Sequence, residues 1–125
     1  MRLQLAALAL LLTALPTAAG LLSGRSAAVF AFPNPARTST IIRFQTDFSP
    51  LESDIEIFDV AGNLVREIRS DRIQLQADQL TYHAPWDLTN SRGQAVAAGV
   101  YLVVVKVKGG SGDQDRVLKK VAVVR

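Results

Sequence analysis

From Thr38 onward, hydrophobic and polar positions alternate with a period of two, the mark of strands buried on one side. Thr40, Ile42 and Phe44 share one face, with Ile41 and Arg43 on the other. Beyond a turn at Ser49-Pro50, Ile55 and Ile57 point one way and Asp54, Glu56 and Phe58 the other. Asp59 to Asn63 holds Gly62-Asn63, residues that tolerate positive φ, and Leu64 to Ile68 follows as the second arm of a β-hairpin. Leu80, Tyr82, Ala84 and Trp86 alternate with Thr81, His83 and Pro85. Pro85 lacks an N–H, so this strand is expected at a sheet edge or to end there. Tyr101, Val103, Val105 and Val107 make an inward face opposite Lys106 and Lys108. Arg116 to Val124 is the last strand, and its alternation slips at Lys119-Lys120, which predicts a bulge.

The connecting stretches are polar or rich in glycine. Asp71 to Gln79 reads as a loop or an irregular edge strand, with a helix as the alternative over Ser70 to Gln79. Asp87 to Gly99 is a long loop, and Gly109 to Asp113 a flexible turn. No segment sustains a helical period. The chain is therefore expected to be all-β, an antiparallel β-sandwich of about seven strands.

The N-terminus breaks this pattern. Met1-Arg2 is followed by Leu3 to Leu15, almost wholly leucine and alanine, then by Pro16 and the small residues Thr17-Ala18-Ala19. This predicts a secretory signal peptide over residues 1–20, cleaved near Ala19 or Gly20, a connector over 21–28 and a folded domain over 29–125. The apolar run falls short of the roughly 20 residues that span a bilayer, so no stable membrane span is expected after cleavage. An exported chain with no cysteine relies on its core alone. The net charge of +3 comes from interspersed acids and bases, without the basic stripe that would track a phosphate backbone, so nucleic acid is not an expected partner.

Candidate chemistry is sparse. His83 is the sole histidine, with no cysteine and no carboxylate pair beside it to complete a metal or catalytic set. Asp87, Asn90, Ser91 and Gly93 lack the alternating ligands and terminal Glu of a calcium loop, and read as side chains bonding their own backbone. Glu52, Asp54 and Glu56 read as a solvated strand face that discourages edge pairing. Ser39 and Ser49 have no neighbouring base, and the glycines from Gly109 to Gly112 do not open a helix that would hold phosphate. Trp86 is the one candidate for stacking on a sugar, and its inward position reads as core. No catalytic, cofactor-binding or metal-ligating set is expected; an enzyme is not.

What remains is an ordered series of landmarks. Phe32-Pro33-Asn34-Pro35 is expected to make an extended lead-in, because the two prolines restrict the backbone on either side of Asn34. The strand from Thr38 to Phe44 follows. Phe58-Asp59-Val60-Ala61-Gly62-Asn63 supplies a turn in which Asp59 bonds its own backbone and Gly62 adopts a left-handed conformation. Trp86-Asp87, Gly93 and Gly99-Val100-Tyr101 come next, Gly99 allowing a tight approach before the buried strand. Trp86 and Tyr101 supply large buried area with one polar tip each to satisfy. A valine run flanked by Lys119, Lys120 and Arg125 closes the series.

In this order the landmarks resemble the immunoglobulin-like domain of flagellar hook-capping proteins, and the similar C-terminal sorting domain of type IX secretion cargo. The resemblance covers Phe32 to Arg125. It implies an Ig-like, non-catalytic secreted module that engages secretion machinery, or else a structural or assembly module of the hook-cap kind. The hook-capping type carries Trp-Asp-Gly, whereas Leu88 follows Asp87 here. Such modules end much larger exported proteins, while here the leader runs almost directly into Phe32; a free-standing module and a fragment of a longer chain both fit. Similar sorting domains have a basic-apolar ending, which makes Lys119, Lys120 and Arg125 the candidate recognition residues. Their strand would be read by strand addition, or would simply complete the sandwich.

Overall fold

The computed structural model describes residues 29–46, 50–110, 112 and 114–125. The expected signal peptide, the connector and the Ser49 half of the first turn lie outside these residues. The described chain forms eight strands: β1 (Val29–Phe32), β2 (Thr40–Gln45), β3 (Pro50–Asp59), β4 (Leu64–Ile68), β5 (Gln74–Leu75), β6 (Thr81–Trp86), β7 (Gly99–Gly109) and β8 (Gln114–Val123). A single 3₁₀ turn, Ser70–Arg72, precedes β5. The strands make two antiparallel sheets of four, ordered β1-β2-β6-β5 and β4-β3-β7-β8.

The period-two reading selects the core. Thr40, Ile42 and Phe44 are buried from the first sheet, and Ile55, Ile57, Tyr101, Val103, Val105 and Val107 from the second. Phe44 stacks on its cross-strand neighbour Tyr82 with ring centroids 5.1 Å apart; Trp86 meets Tyr101 edge-to-face at 5.7 Å, and this second pair ties the two sheets together. The hairpin β3–β4 closes through Asp59 to Asn63, and a register shift at Ile57/Phe58 marks a bulge there.

Several expectations are corrected. Leu80 is 54% exposed while Thr81 is 2% exposed. The strand starts at Thr81, whose hydroxyl donates to the Asp78 carboxylate at 2.6 Å and accepts from the Gln45 amide at 3.0 Å. Leu80 belongs to the preceding turn. Strand β6 is internal, not an edge, but it does end beside Pro85, at Trp86; β5 pairs only with Tyr82 and His83, so Pro85 lies where the ladder on that side has already ended. Strand β8 pairs with β7 in unbroken register from Gln114 to Val123, with no bulge at Lys119-Lys120. Lys119 instead takes an inward register beside Val117 and Val121, half-buried on the edge strand of its sheet. The prolines of Phe32-Pro33-Asn34-Pro35 do not extend the chain. Phe32–Pro33 and Asn34–Pro35 are cis, and the segment bends from the first sheet toward the second. Gly99 makes no tight approach, since a Cβ there would meet nothing within 4 Å; its φ of +157° is what favours glycine.

Candidate functional site

The last strand is held by the segment that begins the fold. Ala36 forms a parallel bridge with Val123: its N–H donates to the Ala122 carbonyl at 2.8 Å, and the Val124 N–H donates to the Ala36 carbonyl at 2.9 Å. The Asn34 side chain extends this pairing. Its amide nitrogen donates to the Lys120 carbonyl at 3.2 Å, and its oxygen accepts from the Ala122 N–H at 3.0 Å. A carboxamide offers the same donor and acceptor as a peptide group. Between two prolines that have no N–H, Asn34 thus does with its side chain what the backbone cannot. Sequence reasoning missed this brace; the signal was an amide side chain set between two residues without donors.

The consequence for recognition is specific. Backbone groups from Lys120 to Val124 on the outer edge are already paired, so they are not open for strand addition. Leu118, 55% exposed, lies outside that covered stretch, and the Arg116 N–H is held by the Asp115 carboxylate at 2.8 Å. Lys120 is exposed; Lys119 is turned inward, a device that hinders edge-to-edge pairing. Arg125 is not brought together with them. Its guanidinium donates to the Val96 carbonyl, from Nε at 3.1 Å and also from an Nη, pinning the Asp87–Gly99 loop to the end of the chain.

The turns behave as self-bonded units. The Asp59 carboxylate accepts from the N–H groups of Ala61 and Asn63 at 3.0 and 2.9 Å and from the Asn63 amide at 3.1 Å, with Gly62 at φ +90°. The Asn63 backbone and side-chain donors hold its carboxyl below the ordinary range. Asp78 accepts from Thr81 and Leu80, which brings its carboxyl to about 2. In the long loop, Asp87 accepts from the Thr89 hydroxyl and N–H, and Asn90 Oδ1 accepts from the N–H groups of Arg92 and Gln94. The Thr89 hydroxyl is the main cause of the lowered Asp87 carboxyl.

Both ends of this loop rest on core residues. The Trp86 indole donates to the Thr89 carbonyl at 2.9 Å, and the Tyr101 hydroxyl donates to the Ala97 carbonyl at 2.6 Å. Arg66, to which the sequence assigned no role, reaches from the inward register of β4 to the Thr89 hydroxyl at 2.6 Å and lies 3.6 Å from Asp87. Ser91 donates to the Val65 carbonyl, covering the edge of β4. Leu88 sits at φ +62° with its side chain buried. The turn that suits glycine is therefore kept by a leucine: a left-handed backbone costs roughly 1–2 kcal/mol, and burying the side chain returns about as much or more.

A family model for the secretion system C-terminal sorting domain matches residues 30–122. The chain belongs to this family. Among solved structures, PorU from Porphyromonas gingivalis, crystallised as a latent dimer, is 31% identical with a TM-score of 0.63 over 77% of this chain. The matched region is only 9% of the PorU chain. FlgD from Xanthomonas campestris, a flagellar hook-capping protein, is 21% identical with a TM-score of 0.53, covering 85% of this chain and 75% of FlgD. The cell-surface chitinase ChiW from a Paenibacillus is 18% identical with a TM-score of 0.51, covering 75% of this chain and 8% of ChiW. At these identities the last two share the fold alone. No curated protein matches. The resemblance to type IX sorting domains is borne out, and the protein is a C-terminal-type sorting module.

Proposed function

We propose that this sorting domain is of immunoglobulin type, and that it is exported behind a cleaved signal peptide and directs what it is joined to through type IX secretion machinery to the cell surface or the medium. The match of the sorting-domain model across residues 30–122 carries the reading. The Ig assignment is supported by strand order. With the strands lettered in sequence, the sheets read A-B-E-D and C′-C-F-G. The Tyr101 hydroxyl bonded four residues upstream, at the start of the seventh strand, matches the tyrosine corner of such sandwiches. The domain works as a shape to be recognised and carries no catalysis of its own.

Within the final strand, the exposed Lys120 carries the recognition charge at the rim, and the half-buried Lys119 keeps other strands from pairing at that edge. Arg125 has a structural part through Val96. A reporter inserted between Ala28 and Val29, expressed in a bacterium with type IX secretion, tests both levels. The intact fusion is expected at the cell surface or in the medium, with a mature N-terminus near Gly20. Lys119→Gln with Lys120→Gln is expected to retain it in the periplasm. Failure of the intact fusion to leave the periplasm overturns the sorting reading; equal export of the double variant overturns only the role of the two lysines.

A further inference from the structure

The outer face of the first sheet is unlike a solvated face. Phe32, Ile41 and Pro85 lie in one cross-strand row, and Phe30, Arg43 and His83 in the next. Phe32 is 78% exposed, Phe30 53% and Ile41 41%. Phe30, Ala31, Phe32, Ile41, Arg43 and His83 line an open groove of about 460 Å³. Large apolar side chains gathered into one concave site mark an interaction surface, because each isolated one would cost little but the cluster exposes a contiguous patch.

The groove has a polarity. One row is apolar, and the other places the Arg43 guanidinium and the His83 imidazole beside Phe30. Arg43 is exposed, and among the described residues no ion pair engages it; the Asp78 carboxylate, in the turn before β6, feels its charge only weakly. The cation is therefore open toward solvent. Rows of one face are two residues apart along a strand, about 7 Å. An extended chain lying along the groove covers both rows with side chains at positions i and i+2. The row chemistry asks for an aromatic or branched apolar side chain at one and a carboxylate at the other.

We infer that this groove docks an extended segment of a partner protein with an apolar residue two positions from an Asp or Glu, the apolar side chain on Phe32 and Ile41 and the carboxylate on Arg43. This is a second contact surface, on the opposite sheet from the terminal strand. Phe32 belongs to the same short segment as Asn34, so one bend both braces the last strand and presents the groove.

The test uses the full chain, isotope-labelled, titrated with the peptide acetyl-Gly-Phe-Ser-Glu-Gly-amide and followed by amide chemical shifts. Shifts are expected to concentrate at Phe30, Ile41, Arg43 and His83. Replacing the peptide's Glu by Lys is expected to weaken binding about fivefold, the upper range for an exposed ion pair. Replacing its Phe by Ser weakens it about tenfold, the loss of one buried apolar side chain. Arg43→Glu is expected to invert the Glu-over-Lys preference, and Phe32→Ser to remove binding while the spectrum elsewhere is retained. Shifts scattered over other faces, or unchanged by the swaps, overturn the proposal. So does a concentration-dependent dimer that blocks the groove before peptide is added.

Discussion

The two outer faces of the sandwich are built on different principles. On the second sheet, acids of β3 stand opposite lysines of β7: Glu56 pairs with Lys106 at 3.2 Å and Glu52 with Lys108 at 4.0 Å. The paired charges cover the Glu52–Lys108 end of that face, while Leu118 and Val100 stay exposed singly toward its other end. On the first sheet the equivalent positions carry Phe30, Phe32 and Ile41 around Arg43 and His83. The same strand geometry thus sets charge pairs among scattered apolar side chains on one side and gathers apolar side chains into a groove on the other. A domain whose work is to be recognised needs one face that water does not complete.

The largest expected effect comes from removing what the two faces share. Trp86 is buried between the sheets and holds the long loop through Thr89. Trp86→Ala is expected to lower the unfolding free energy by about 3–5 kcal/mol, measured by urea denaturation. A loss within about 0.5 kcal/mol, the range of surface positions, would place the indole outside the core.

The brace between the sheets comes next. Asn34→Ala removes both side-chain bonds to β8 and is expected to cost about 1–2 kcal/mol. Amide exchange at Ala122 should quicken more than at Val103, which the brace does not touch. Equal protection at Ala122 in the variant would mean that the Ala36 bridge alone secures the strand.

The faces themselves are compared by a matched pair. Lys106→Gln breaks the Glu56 pair on a partly exposed ladder, and about 0.5 kcal/mol is expected. Phe32→Ser is expected to change stability by about 0.5 kcal/mol or less, since most of the ring is exposed. The variants should part in function: only Phe32→Ser should abolish peptide docking. If Lys106→Gln abolishes it equally, the contrast between the faces fails.

The smallest effect is the pH dependence, which draws on turns of both sheets. Asp59 closes the β3–β4 hairpin and Asp78 the β5–β6 turn; hydrogen bonds lower both carboxyls. A group lowered in the folded state stabilises above its unfolded value and loses that contribution as pH falls through the folded one. For Asp78 this window runs from 3.8 down to about 2. The melting temperature is expected to be level from neutral pH to about 4 and to fall below it. Asp78→Asn should flatten that fall in part. An identical acid slope in the variant would rule Asp78 out as a contributor.

Much of this was legible in one dimension. Period-two alternation located most of the paired strands because a strand's side chains alternate by covalent geometry, whatever the partner. The Asp59–Asn63 turn was legible because its hydrogen bonds are local. The reading failed where a neighbour distant in sequence decided the outcome. Lys119 looked like a bulge because it takes an inward register opposite Val103 on the edge strand β8, where a lysine can lay its stem along apolar surface and keep its amine toward water. Thr81 looked outward-polar because the Gln45 and Asp78 groups that bury it come from β2 and the preceding turn. Composition and pattern by themselves determined an all-β, cysteine-free domain with a charged face and a valine-rich core. Tertiary structure alone decided that Asn34 pairs with a strand 86 residues away, that Arg125 holds Val96, and that Phe30, Phe32, Ile41, Arg43 and His83 converge on one groove. Those outcomes depend on which strands become neighbours, and neighbours across a sandwich are chosen by the packing of the whole core.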